Sequence, residues 1–355
     1  MTTSSSHKIW SPLAWIGTGS AQHWACNVLL EIDSSGRWSN VATNVAIDDA
    51  ERQHCEVLQG PLLPGIVNAH SHAFQRAFAG LAERRDSEHD DFWSWRDRMY
   101  RVALAISPQQ LKVVASQLYL ELLRGGHTHV CEFHYLHHAP DGKPYDDPLT
   151  MAWMLIEAAQ DVGIGITMLP VLYERSGFTA TSLRDDQRRF ATDAAWVLNA
   201  QRRIARHATS SNTVNGGVAI HSLRAASPAS IRTLAESAQG SIHIHVAEQT
   251  GEVDECLKVT GLRPVQWLAQ HCAIDARWQL VHATHVTQAE IESLAQSGAC
   301  AVICPTTEAN LGDGTTDVAA WLNAGTTLSI GSDSHVTRDW REELRLLEYG
   351  QRLQY

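Results

Sequence analysis

The sequence of 355 residues is poor in lysine, in paired cysteines and in long apolar runs. Lysine occurs only at positions 8, 112, 143 and 258, and the formal net charge is −11, which argues against a nucleic-acid-binding surface. The seven cysteines are odd in number and include no CxxC pair, so we expect reduced thiols rather than a disulfide framework. No run of apolar residues is long enough to span a membrane.

The first residues, MTTSSSHKIW, lack the basic and apolar stretches of a secretory signal, and we therefore expect a cytoplasmic protein. A hydrophobic fraction of 44% with 19% charged residues is typical of a chain that folds around a full core. Histidine, by contrast, is abundant, with 19 residues. So many imidazoles make a metal site or an acid–base site worth seeking.

The pattern of apolar residues divides the chain in two. Residues 1–60 contain short strand and turn patterns, which predict a small β-rich domain resembling part of a β-sandwich. Residues 61–355 alternate apolar runs with segments of helical periodicity, which predicts a (β/α)8 barrel. The eight predicted strands are 62–68, 129–133, 164–172, 217–220, 242–246, 279–282, 299–303 and 327–330.

Polar side chains follow four of these predicted strands at the end where barrel enzymes carry their active sites. His70 and His72 end the first strand, and alternation along a strand places them on one face. Strands five and six end in His245 and His282, and Asp333 follows strand eight. Three histidines and a carboxylate suit a mononuclear Zn²⁺ site. The predicted ligands are His70, His72, His245 and Asp333.

This arrangement of histidines and aspartate resembles the amidohydrolase superfamily. The resemblance implies a metal-activated water that attacks an sp² carbon. Binuclear members usually carry a bridging lysine or glutamate at strand four, whereas here residues 215–224 contain no lysine. One divalent ion is therefore expected, and the ligand types favour Zn²⁺ without excluding iron or another divalent metal.

Glu248 lies three residues after His245, in an arrangement similar to that of deaminating amidohydrolases. There the glutamate carries a proton to the departing nitrogen. The chemistry needs both a proton acceptor for water and a proton donor for ammonia. Glu248, His282 and Asp333 are the groups available, and the sequence leaves open which of them takes the proton of water.

A closer resemblance is to the formiminoglutamate deiminases. It extends from about residue 60 to 353 and rests on residues 68–77, 91–97, 132–138, 172–175, 221–225, 245–252, 304–312 and 331–335. The resemblance implies hydrolysis of N-formimino-L-glutamate to N-formyl-L-glutamate and ammonia, a step of histidine degradation, by attack of a metal-bound hydroxide on the formimino carbon. Arg96 and Arg224 match the family's positions for the two substrate carboxylates, and Gln75, Tyr135 and His221 match its other substrate contacts. It also implies a homodimer.

Two other functions stay open. One is a related deaminase that acts on a purine or an adenosine derivative, and the other is a metal-binding relative without catalysis. The sequence also departs from the resembled family, whose members usually continue well beyond strand eight, whereas this one ends inside the predicted helix eight. We therefore expect an incomplete small β-domain with exposed sheet edges and a lower stability than in longer relatives.

Overall fold

The computed structural model describes residues 7–17, 21–34, 36–80, 92–209 and 211–354, without the side chains of 49–50 and 92–98. The chain divides into two compact units, Met1–Gly65 and Ile66–Tyr355. None of the helices in these ranges is long and apolar enough to cross a membrane.

The first unit contains a four-stranded sheet with the strand order β3-β2-β1-β4. Its strands are β1 (His7–Ile16), β2 (His23–Ile32), β3 (Trp38–Ala42) and β4 (Glu56–Val57), with a short helix α1 (Asp49–Arg52) before β4. Strands β1, β2 and β3 pair antiparallel, and β4 pairs parallel with β1. Its buried core is small and consists of Ala14, Ala25, Val28 and Leu30. Trp24 and Trp38 stay about half exposed, at 49% and 54%.

In its described residues, the second unit contains nine parallel strands. They are β5 (Ile66–Ser71), β6 (His127–His134), β7 (Gly165–Leu172), β8 (Val214–Gly216), β9 (Val218–Ile220), β10 (Ile242–Val246), β11 (Trp278–His282), β12 (Cys300–Ile303) and β13 (Thr327–Ile330). Because β8 and β9 are separated by Gly217 alone, they act as one strand, and the sheet has eight positions. The pairing of Ser71 with Asp333 brings the first and eighth positions together.

Helices connect the strands. They are α2 (Phe92–Ala105), α3 (Pro108–Arg124), α4 (Thr150–Val162), α5 (Ala194–Ala208), α6 (Pro228–Ser237), α7 (Thr250–Thr260), α8 (Pro264–His271), α9 (Gln288–Ser297), α10 (Pro305–Leu311), α11 (Val318–Asn323) and α12 (Trp340–Gln354). Two 3₁₀ turns, Ala73–Phe78 and Asp185–Phe190, lie in the loops after β5 and β7. Local signals set these boundaries: Ser107 caps α3 through a capping box with Gln110, and Pro108 occupies its first turn.

The predicted (β/α)8 barrel is confirmed, with two differences in its strands. The first barrel strand begins at Ile66 rather than at residue 62, because Leu62 pairs with Ala14 in the first unit. The fourth strand begins earlier than predicted and is interrupted at Gly217. A Cβ at Gly217 would lie 2.6 Å from Ser241 Oγ and 2.8 Å from Leu169 Cδ2, so only glycine fits between these neighbours.

Candidate metal centre

The four predicted metal ligands converge at the carboxyl end of the barrel. His70 Nε2 lies 3.0 Å from His245 Nε2 and 3.4 Å from Asp333 Oδ1. His72 Nε2 lies 3.3 Å from the same oxygen of Asp333. All four side chains are buried. They reach this point from β5, β10 and the loop after β13, because the carboxyl ends of parallel strands meet at one rim of a barrel.

The hydrogen bonds of the imidazoles fit a bound cation. Nδ1 of His72 donates to the carbonyl of Phe133 at 2.8 Å, and Nδ1 of His245 donates to the carbonyl of His221 at 2.9 Å. Each ring then presents the lone pair of Nε2 to the shared point. Histidine ligands of metals are commonly oriented in this way, by a carbonyl or carboxylate on the other nitrogen.

The protonation states favour metal binding as well. Burial lowers the pKa of His72 to about 3, and it lowers the pKa of His70 and His245 too. Burial alone would raise the pKa of Asp333, but the hydrogen bond with His70 and the positive charge of His282 bring it below its usual range. Neutral imidazoles and an ionised carboxylate are the forms that bind a divalent cation.

The backbone is strained around this point. Ala247, His282, Ala283, Asp333 and His335 have positive φ angles between 44° and 68°, although none is glycine. Such conformations cost about 1–3 kcal/mol each and persist only where the surroundings hold them. All five residues follow or end barrel strands that carry site residues, so the strain is concentrated where these side chains must be aimed.

Buried polar groups fix the loop that carries His70 and His72. Glu132, on β6, accepts hydrogen bonds from Ser71 Oγ at 2.8 Å, from the amide of Ala73 at 2.6 Å and from Tyr119 Oη at 3.2 Å. Its burial raises its pKa to about 7 despite these donors. The loop is therefore attached to the neighbouring strand through one carboxyl group.

A second brace joins the first and eighth strands. Asn68 donates to Ser332 Oγ at 2.7 Å and accepts from the amide of Ser332 at 2.9 Å. The amide of Asp333 donates to the carbonyl of His70 at 3.0 Å. These contacts set the distance between the His70 ring and the Asp333 carboxylate.

His282 and Glu248 lie beside the predicted metal ligands. His282 Nε2 is 3.8 Å from Glu248 Oε1 and 3.9 Å from Asp333 Oδ2. Burial would lower the pKa of His282, but the carboxylates of Glu248, Glu308 and Asp333 raise it to about 10. Burial raises the pKa of Glu248, and the charge of His282 opposes that rise. Each of these two side chains therefore affects the protonation of the other.

All predicted site residues other than His70 and Arg96 line one cleft that opens to solvent. His70 lies beneath its lining residues, in contact with His72 and His245. The side chain of Arg96 lies outside the described residues, although its backbone is part of α2. The structure thus brings the remaining predicted ligands, proton carriers and substrate contacts together.

Several residues of the site were not predicted from the sequence. Phe133 packs on the His245 ring at 4.3 Å between centroids, and Tyr100, Tyr173, Phe190 and Leu311 complete the cleft wall. Glu132 and Glu308 lie within the stretches that carry the family resemblance, and a carboxyl inside an apolar strand such as β6 indicates a buried polar network.

Comparisons with known proteins agree with the geometry. The model of the amidohydrolase family matches residues 62–354. The formimidoylglutamate deiminase of Pseudomonas aeruginosa is 46% identical over 93% of this chain and 72% of its own length. A 5-methylthioadenosine/S-adenosylhomocysteine deaminase of Natronomonas pharaonis is 26% identical over 77% of this chain and 57% of its own length.

The same fold occurs in a solved structure. The crystal structure of an amidohydrolase from Brucella melitensis superposes with a TM-score of 0.90 at 41% identity, covering 98% of this chain and 76% of that one. The barrel, the histidines and aspartate at its carboxyl rim, and the match of the family model over most of the sequence lead to one conclusion. The chain belongs to the amidohydrolase family.

Proposed function

We propose that this protein is a metal-dependent hydrolase that deiminates N-formimino-L-glutamate to N-formyl-L-glutamate and ammonia. Three histidines and an aspartate form the ligand set, and the pair Glu248 and His282 lies beside it together with an arginine in the cleft. This combination is the observation that carries the proposal. The 46% identity with a formimidoylglutamate deiminase supports the choice of substrate.

His70, His72, His245 and Asp333 would hold one divalent ion, which we propose to be Zn²⁺. A divalent ion in such a site lowers the pKa of a coordinated water toward neutrality and supplies hydroxide. The chain's own contribution is to keep three imidazoles neutral, to keep Asp333 ionised and to hold all four groups in place through Phe133, His221 and the Asn68–Ser332 brace.

Arg224 is the described group best suited to a substrate carboxylate. It lines the cleft, and none of the hydrogen bonds or ion pairs of the described residues involves its guanidinium. Burial would lower its pKa, but the carboxyls of Glu252 and Glu248 and the hydroxyl of Tyr173 raise it, so the group stays cationic. A guanidinium without a protein partner can bind a carboxylate in the bidentate geometry that arginine favours. Arg96 is proposed for the second carboxylate.

The formimino group is cationic near neutral pH and requires hydrogen-bond acceptors. Gln75 is buried and donates through Nε2 to Tyr135 Oη at 3.1 Å, which leaves its Oε1 without a partner among the described residues. A buried acceptor without a donor is costly unless a ligand supplies one. We assign Gln75 Oε1 to an N–H of the substrate, with Tyr135 and His221 beside it.

In the proposed reaction water adds across the C=N bond of the formimino group. The bond to the terminal nitrogen then breaks, ammonia leaves, and the oxygen stays in the formyl group. Glu248 delivers a proton to the departing nitrogen, and His282 donates a hydrogen bond to the oxygen on the tetrahedral carbon. The proximity of Glu248 and His282, at 3.8 Å, lets both act on the same carbon centre.

The direct test is ammonia release from N-formimino-L-glutamate by the purified protein after loading with Zn²⁺, with metal content measured in the same sample. We expect turnover that stops when a chelator removes the metal and returns when Zn²⁺ is added back. Activity on a purine or adenosine derivative and none on N-formimino-L-glutamate would show that the substrate is wrong. Bound metal without turnover on either class would favour a non-catalytic relative.

We also propose a homodimer in the cytoplasm. The support is the resemblance to the formiminoglutamate deiminases and the reduced state expected of the seven cysteines. Light scattering at micromolar concentration would give a mass of twice 39.2 kDa for the dimer.

A further inference from the structure

We propose that Glu308 is a positioning residue that fixes the orientation of the His282 ring through a hydrogen bond with its Nδ1–H. This inference rests on the proposed function of His282 and assigns a role to a carboxylate that is not itself in the cleft lining. Glu308 lies on α10, in the segment that follows strand β12, and its side chain is almost fully buried, at 3% exposure.

The contact is direct. Nδ1 of His282 donates to Glu308 Oε1 at 3.2 Å, while Nε2 of the same ring faces Glu248 and Asp333 at 3.8 and 3.9 Å. The ring thus lies between a carboxylate behind it and the reaction centre in front of it. A carboxylate that accepts from Nδ1–H fixes the plane of an imidazole ring, so that Nε2 points to the reacting atoms.

The backbone gives an independent reason why such a support is needed. His282 ends β11 with φ at +68°, and Ala283 follows with φ at +46°. A β-strand that enters the left-handed region at a non-glycine residue is strained, and the side chain direction depends on what holds it. Glu308 holds the ring at the point where the strand no longer determines its direction.

Glu308 is in turn held in place. The amide of Cys304 donates to the same Oε1 atom at 2.9 Å. The amide of Asp313 donates to the carbonyl of Glu308 at 2.9 Å, and His285 Nε2 donates to the carbonyl of Asp313 at 2.7 Å. Hydrogen bonds therefore join the segment after β12 to the His282 ring and to His285, in the loop after β11.

The groups of His282, Cys304 and Glu308 also lie close enough together to hold a metal ion. A second ion is the weaker interpretation, because His282 Nδ1 and Glu308 Oε1 already form a hydrogen bond. Burial and the surrounding carboxylates also raise the pKa of the Cys304 thiol far above its usual range. A metal–thiolate bond requires the deprotonated sulfur.

The test is a double-mutant cycle on the metal-loaded protein. We expect Glu308→Ala to lower kcat by about 10- to 100-fold with KM and bound metal unchanged, the range typical for residues that orient functional histidines. Glu308→Gln keeps an oxygen that can accept from Nδ1–H and from the Cys304 amide, so it should retain more of kcat. In a His282→Ala background, Glu308→Ala should lower kcat no further, because its effect passes through the ring.

Glu343 provides a matched control. It is a buried glutamate that accepts from the amide and hydroxyl of Thr306, on the same helix α10, but it has no contact with His282 among the described residues. Glu343→Ala should cost stability and leave kcat near the wild-type value. An equal loss of kcat in Glu343→Ala, or an equal effect of Glu308→Ala with and without His282, would overturn the proposal. So would the loss of a second metal equivalent in Glu308→Ala.

A measurement without turnover separates this inference from the proposed function. In protein labelled with ¹⁵N-histidine, the His282 signal is assigned by its absence in His282→Ala. We expect Nδ1 to carry a hydrogen-bonded proton in the wild type and its ¹⁵N signal to shift in Glu308→Ala, where that hydrogen bond is lost. An unchanged Nδ1 signal contradicts the role of Glu308, whatever the substrate proves to be. Absence of ammonia release by the wild type contradicts only the proposed function.

Discussion

Two groups of buried side chains lie at the carboxyl rim of the barrel. The imidazole cluster consists of His70, His72 and His245, and the carboxyl cluster consists of Glu248, Glu252 and Asp313. Burial lowers the pKa of the imidazoles, to about 3 for His72, whereas it raises the pKa of the carboxyls, to about 7 for Glu252 and about 8 for Asp313. Both groups thus tend to the uncharged form for the same reason.

The consequences for chemistry are opposite. An uncharged imidazole has a lone pair for a cation, whereas an uncharged carboxyl holds a proton that it can give away. Two nearby residues outside these clusters, Asp333 and His282, behave differently. Neighbouring charges keep the carboxyl of Asp333 ionised and the imidazole of His282 protonated. One physical effect, the loss of water around the side chains, therefore favours the proposed metal binding by the imidazole cluster and the proposed proton transfer by Glu248.

The largest effect is expected from removing a member of the imidazole cluster. His245→Ala should bind Zn²⁺ too weakly to be loaded and should lose about 10³-fold or more in kcat/KM, which corresponds to about 4 kcal/mol. Metal analysis and the ammonia assay measure both. His271→Ala removes a histidine that stacks on Trp267, away from the cleft lining, and should keep metal and turnover. Full metal content in His245→Ala would exclude this histidine as a ligand.

Removing the carboxyl of Glu248, the proposed proton carrier, should leave the metal in place. Glu248→Gln keeps the size of the side chain but cannot deliver a proton, so we expect kcat to fall by about 10²- to 10⁴-fold. Bound metal, measured on the same preparation, should equal that of the wild type. A rate near the wild-type value would show that another group carries the proton.

A smaller effect is expected from the brace behind the imidazole cluster. Glu132→Gln places an amide where three donors point to a carboxylate, which should loosen the loop with His70 and His72. Zinc affinity, measured by competition with a chelator, should fall about 10- to 100-fold. Glu292→Gln on the exposed face of α9 is the matched control. Equal affinities of the two variants would mean that the brace does not position the ligands.

The smallest effect concerns buried histidines outside the cleft. Burial lowers the pKa of His127 to about 4 and that of His134 to about 3. Between pH 6.5 and 4 the unfolded chain binds protons at these positions while the folded protein does not, so stability falls as the pH falls. Each histidine should cost about 2 kcal/mol of unfolding free energy between pH 7.5 and 5.

Urea unfolding of the metal-free protein at both pH values measures this cost, since a bound metal would add its own pH dependence. Replacing His127 with glutamine should reduce the difference between the two pH values. If this difference did not change, the burial of His127 would not control its protonation. The explanation by burial of the low pKa values in the imidazole cluster would then lose support.

The sequence predicted much of the barrel and of the site because both follow local rules. Apolar runs bounded by polar residues mark buried parallel strands, and most of the eight predicted strands agree with the structure to within a few residues. The rule that barrel chemistry lies at the carboxyl ends of strands then selected His70, His72, His245, His282 and Asp333. Other histidines, such as His127 at the start of β6, lie at the opposite end.

The supporting residues were harder to find. Glu132 and Glu308 act through hydrogen bonds to side chains 61 and 26 residues away, and no periodicity in the sequence records such pairs. The start of the first barrel strand was placed four residues too early because Leu62 is as apolar as a strand residue. Its pairing with Ala14 depends on a contact between distant parts of the chain.

The sequence by itself determined which residue types stand at the ends of the barrel strands, because strand periodicity and strand order are properties of short segments. Only the tertiary structure decided their charge states and their directions. A pKa depends on how much water is excluded and on which charges lie within a few ångströms. The direction of a ring such as His282 depends on a strained backbone and on a carboxylate from another part of the chain.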